Sequence, residues 1–180
     1  MSCTFRSLVS MLVLLLLFAA AGCSSHRNKV LEKYNTYKFD SSVIAKLPIY
    51  DSLATAILQK ITILQQHIDK EDGYQAFRYM PTSTETTVFK KIPEQAGTNI
   101  DKYLTQLGPG FIYGFDVFKD SSIKIYIRRH SVKGDPVDVE ENLSYYPTGK
   151  GIRQREYPAR DTALNSYWQY WTMFYKEGLF

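Results

Sequence analysis

Asp138 and Glu140 are separated by one residue. On a strand that spacing puts both carboxylates on one face, the arrangement a general acid/base pair requires. Glu141 follows on the opposite face. The same pattern describes the wet face of an ordinary strand. Arg153 and Arg155 share a face one predicted strand later, where opposite charges across a hairpin stabilise the sheet without catalysing anything. The second group that could do chemistry is aromatic: Tyr157, Tyr167, Trp168, Tyr170 and Trp171, followed by Phe174 and Tyr175. Neighbouring strand positions point to opposite sides, so these rings cannot all serve one core. Either a second layer covers the outer set, or rings lie exposed beside the arginines. Exposed Trp and Tyr beside Arg are anchors of protein interfaces, and they also stack on sugars. Arg153, Arg155, Tyr157, Tyr167, Trp168, Tyr170 and Trp171 are therefore the candidate partner-binding set.

Little else nominates catalysis. The three histidines, His26, His67 and His130, stand far apart, and no His-Glu-x-x-His, Gly-x-Ser-x-Gly or phosphate-cradling glycine loop is present. The reading assigns no catalytic residue, no metal ligand and no cofactor. A small hydrolase built on Asp138 and Glu140 is the weakest of the functional alternatives.

The N-terminus carries more information. Residues 1–22 hold one early charge at Arg6, an apolar run from Leu8 to Phe18, and small residues up to Cys23. That is the layout of an export signal. Ala20-Ala21-Gly22-Cys23 resembles the lipobox of bacterial lipoproteins, with Ala20 where leucine is usual. The resemblance implies cleavage before Cys23 and acylation of its thiol and new amino terminus. Each buried methylene contributes about 0.8 kcal/mol, so several chains hold such a protein on a leaflet. Ser24-Ser25 places no acidic residue directly after the cysteine, which implies sorting to the outer membrane, on its periplasmic face. Cys3 leaves with the signal, so the body has no free thiol, no disulfide framework and no cysteine metal site. The formal net charge is +4, one less without Arg6, too weak and interspersed for a nucleic-acid partner.

Residues 24–50 show no sustained period and read as a tether and lead-in closed by Pro48. Asp51 or Ser52 then caps a long helix with Leu53, Ile57, Ile61, Leu64 and Ile68 on one stripe, stopped by Gly73. Residues 74–80 and 86–92 flank Pro81-Thr82-Ser83 as a hairpin. Thr98 and Asp101 resemble a capping box opening a short helix, with Ile100, Tyr103, Leu104 and Leu107 inward. Strands follow at 111–118, 122–130, 137–146 and 152–157. In the second of these Ile123, Ile125 and Ile127 alternate with Lys124, Tyr126 and Arg128, one dry face and one wet. The last segment is rich in Tyr, Trp and Phe without a helical stripe, which favours strand.

The expected organisation is a signal at 1–22, a lipidated tether and lead-in at 23–48, and a single α+β domain at 49–180. That domain is an antiparallel sheet of five to seven strands, ending in a C-terminal meander, with one long and one short helix. A cone-shaped helix-on-sheet domain similar to the nuclear transport factor 2 superfamily is a variant of it. Two stretches, Tyr145, Tyr146 and Gly149, then Trp171, Phe174, Tyr175 and Gly178, resemble the MORN-like antitoxin-type repeats of bacteria. The resemblance implies a non-catalytic binding surface. Together these readings point to a lipid-anchored, non-enzymatic envelope protein that binds an envelope protein or peptidoglycan through its C-terminal sheet. The alternative is an immunity protein that neutralises an envelope-acting toxin.

Overall fold

The computed structural model describes residues 39–68, 75–83, 89, 91–131, 137–149 and 159–176. Among them are four helices: α1 (Ser41–Ala45), α2 (Leu47–Gln59), α3 (Ile61–Gln65) and α4 (Glu94–Leu107). Six strands accompany them: β1 (Ala76–Tyr79), β2 (Gly114–Phe118), β3 (Ile123–Ser131), β4 (Val137–Tyr145), β5 (Ala159–Ala163) and β6 (Trp168–Lys176). The strands form one antiparallel sheet in the order β1-β2-β3-β4-β6-β5. This is the α+β architecture that the sequence predicts. The C-terminal meander β2-β3-β4 continues into a hairpin, β5-β6, that docks through its second strand.

Ordered packing begins before residue 49. Asp40 caps α1, its Oδ1 accepting from the Ser42 N–H at 2.7 Å, and Val43 is fully buried. Pro48 stands in the first turn of α2 instead of closing the lead-in, because a proline there forfeits no helical hydrogen bond. The apolar stripe is present: Tyr50, Leu53, Ile57 and Leu64 are buried. A turn at Lys60, with φ −114° and ψ 11°, divides the predicted single helix into α2 and α3. Helix α4 starts at Glu94, directly after Pro93 in an extended conformation. Thr98 is therefore an exposed residue inside the helix and not its cap. The predicted hairpin gives way to a different pairing. β1 pairs with β2, Phe77 opposite Val117, while Phe89 makes an isolated parallel bridge to Tyr79. β5 went unforeseen, since Ala-Arg-Asp-Thr-Ala has no strand signature. The predicted strand at 152–157 lies outside the described residues.

The core lies between the helices and the inward face of the sheet. Phe77, Phe115, Val117, Ile123, Ile125, Leu143, Trp168 and Tyr170 meet Tyr50, Leu53, Ile57, Leu64 and Ile100 there. Burying each such side chain contributes about 1.5–3 kcal/mol. Gly114 allows the close approach of β1: a Cβ at that position would lie 2.6 Å from the Tyr79 carbonyl oxygen.

Candidate binding site on the outward face of the sheet

Strand alternation sends a second set of side chains to the outward face. One row crosses the sheet as Arg78, Asp116, Lys124, Ser144 and Gln169. The next is Tyr126, Asn142, Trp171 and Asp161. A wet face would leave these solvated, yet Asp116, Asn142 and Trp171 have no exposed surface. Arg78 Nε donates to Asp116 Oδ1 at 3.2 Å, and the Tyr126 hydroxyl donates to Asp116 Oδ2 at 2.5 Å. Glu140 accepts from the Tyr113 hydroxyl at 3.2 Å, from Lys124 Nζ at 3.5 Å and from Asn142 Nδ2 at 3.1 Å. Lys124 Nζ also stands 4.1 Å from the Tyr126 ring centroid and 4.8 Å from that of Trp171, so two aromatic faces support its charge. Trp171 Nε1 donates to Ser144 Oγ at 2.9 Å. Among the described residues Asn142 Oδ1 is buried without a hydrogen-bond partner, a condition that costs about 1–3 kcal/mol.

Over this network opens a cleft of about 530 Å3, lined among others by Arg78, Met80, Pro109, Tyr113, Lys124, Arg129 and Glu140. It lies beside a bulge in β3, where the register to β4 shifts between Tyr126 and Arg128. A bulge bends the strand and increases its twist. Beyond the bulge Arg129 pairs with Asp138, Nη2 to Oδ2 at 2.9 Å, both side chains being partly exposed.

A second polar cluster occupies the inward face. Glu141 is fully buried and accepts from Arg128 Nε at 2.9 Å, from Arg128 Nη2 at 3.0 Å and from the Tyr170 hydroxyl. Arg128 Nη2 reaches Asp40 as well, at 2.6 Å. The hydrogen bonds from Ser42 and then Arg128 hold the Asp40 carboxyl down at about 2. Burial, then the Glu141 carboxylate, raises the Tyr170 hydroxyl far above its usual range, so it stays a donor.

The nominated residues fall in different places. Trp168, Tyr170 and Trp171 are interior and unavailable as contact residues, which corrects that part of the candidate set. Trp168 sits in the core with its Nε1 donating to Asp51 Oδ1 at 2.5 Å, and Trp171 is buried on the other face. Tyr167 is 47% exposed and stacks on Tyr145 with centroids 6.2 Å apart. Cys23, Arg153, Arg155, Tyr157 and Gly178 lie outside the described residues. Asp138 and Glu140 do share the outward face, but each carboxylate is held by its own cation. Gly149 takes the positive φ, +64°, that its turn needs. Arg78 and Tyr113 lie 35 residues apart in sequence, so no local spacing joins them in one site. The available signal was the alternation of Lys124 and Tyr126.

Among the described residues no group of three or more His, Cys, Asp or Glu could hold a metal ion, and no helix is long and apolar enough to cross a membrane. Comparison with protein families, curated proteins and solved structures finds no match.

Proposed function

We propose that the protein is a non-enzymatic envelope lipoprotein, acylated at Cys23 and held on the periplasmic face of the outer membrane. It binds another macromolecule through the outward face of its sheet. The observation that carries this reading is the cleft between β1, β3 and the α4–β2 loop. Charged and aromatic side chains there are fixed by hydrogen bonds before any partner arrives, which lowers the ordering cost of association. Buried Asp116 and Glu140 hold Arg78 and Lys124 from behind, and the surface they present is concave and polar.

The test is photocrosslinking in cells, with a photoreactive residue at Thr82 in the cleft or at Thr55 on the exposed side of α2. One specific envelope product from Thr82, reduced by Arg129→Gln and not seen from Thr55, supports the reading. Equal labelling from both positions, or none from Thr82, sinks it. Metabolic labelling with a fatty-acid analogue tests the anchor separately: Cys23→Ser should abolish incorporation.

A further inference from the structure

We infer that a groove between α2 and α4 binds a neutral glycan strand bearing N-acetyl groups. The helices cover the inward face of the sheet, so this site is separate from the outward cleft and goes beyond the reading above. The groove has a volume of about 340 Å3. Of the described residues lining it, Asp51 alone is charged, while Ser52, Thr55, Gln59, Asn99 and Tyr103 bring hydroxyls and carboxamides. Among the described residues the Gln59 and Asn99 carboxamides and the Tyr103 hydroxyl make no hydrogen bond within the chain. Asp51 uses Oδ1 to accept from Trp168 Nε1 at 2.5 Å, which leaves Oδ2 for another donor.

The lining selects the ligand. An anion meets only the Asp51 carboxylate as a charged neighbour and is repelled by it. A peptide in a groove seats its side chains in apolar pockets, and Ala56, itself buried, is the one apolar residue of the described lining. A sugar presents hydroxyls that donate and accept together, which neutral hydroxyl and carboxamide side chains answer in kind. An acetamido group carries one N–H and one C=O, complementary to the carboxamides that Gln59 and Asn99 present. Asp51 to Gln59 covers eight residues of α2, about 12 Å at the helical rise, so the site is longer than one sugar ring. An aromatic platform adjoins it on the Trp168 side of Asp51. Tyr167 is exposed and stacked on Tyr145. The Tyr145 ring lies 4.9 Å from that of Trp168, whose indole holds Asp51, so the carboxylate and the ring pair are fixed relative to one another. The C–H face of a pyranose is slightly positive and stacks on the negative face of such a ring. Burial, then the Asp51 charge, raises the Tyr145 hydroxyl, which keeps it a donor.

The experiment is isothermal titration calorimetry of the full-length protein in a sugar-free detergent. The probe is the β-linked tetramer of N-acetylglucosamine, with the β-linked tetramer of glucose and a capped tetra-alanine peptide as comparisons. The N-acetylated tetramer should bind and the other two should not. Gln59→Ala, Asn99→Ala and Tyr167→Ala should each weaken binding about fivefold, the loss of one neutral contact. All three residues are exposed, so their melting temperatures should match that of the parent. Arg129→Gln, in the outward cleft, should leave glycan affinity unchanged. Absence of binding by the N-acetylated tetramer, equal binding of the glucose tetramer or the peptide, or unchanged affinity in all three variants each overturns the inference. Loss of affinity in Arg129→Gln overturns it too, by moving the glycan to the cleft. A carbohydrate adduct at Thr55 in cells is distinct from a protein product at Thr82, so the two sites stand or fall separately.

Discussion

The two faces of the sheet handle charge in opposite ways. Inward, Glu141 is one carboxylate enclosed by apolar rings, answered by a guanidinium and a phenol. Outward, Asp116 on β2 and Glu140 on β4 are answered by Arg78 and Lys124, which line an open cleft, and Asn142 donates to Glu140. The first arrangement is a closed set of donors and acceptors. The second has an unmet acceptor at Asn142 Oδ1 and a concave opening. A satisfied internal pair fixes which packing is native, whereas half-solvated charges over an aromatic floor suit recognition.

Four experiments would break or sharpen that contrast. The largest effect concerns the indoles. Trp168→Ala inward and Trp171→Ala outward should each cost about 3–5 kcal/mol in chemical denaturation, since both rings are fully buried. A stability-neutral Trp171→Ala that also abolished the cellular crosslink would return this ring to the contact surface. Next, Arg128→Met should cost about 3 kcal/mol by removing the guanidinium from the buried Glu141 carboxylate, with Arg128 itself a third exposed. The double variant with Glu141→Leu should recover most of the loss.

A smaller effect is read with acid. Asp40 has its carboxyl lowered from 3.8 to about 2 in the folded chain. The folded state therefore binds its proton less readily, and the contribution is complete above pH 3.8 and disappears as pH falls to about 2. Asp40→Asn should flatten the stability curve across that interval, measured by urea titration at successive pH values. The smallest effect is Arg129→Gln, whose exposed pair with Asp138 should change stability by less than about 0.5 kcal/mol while reducing the crosslink. A large loss of stability would move Arg129 from the recognition surface to the scaffold.

Much of the layering was legible in the sequence because it depends on period alone. The alternation of Ile123 and Ile125 with Lys124 and the stripe Leu53, Ile57 and Leu64 survive into the structure, while the bulge after Tyr126 overturns the expected wet-face position of Arg128 and turns it inward to Glu141. The break at Lys60 has no glycine or proline to announce it. The edge strand β5 is polar, and its place is set by pairing with β6. The candidate site was harder. Parity showed that the aromatic residues of β6 must point both ways, but not that both sets would be buried. A tryptophan on a two-sided buried strand looks in sequence like a tryptophan at an interface. The cleft depends on long-range register, Arg78 opposite Asp116 and Tyr126 opposite Asn142, which composition does not encode.

The grip on Asp40 has a mechanical consequence. Phe39 lies with its ring 4.6 Å from that of Tyr170 on β6, and Asp40 holds Arg128 on β3. Tension applied ahead of Phe39 is thus delivered to strands on either side of β4, in the middle of the sheet, before it can peel α1 from the surface. Pulled from its leading end in a force spectrometer, the domain should resist as a block and yield in a single rupture.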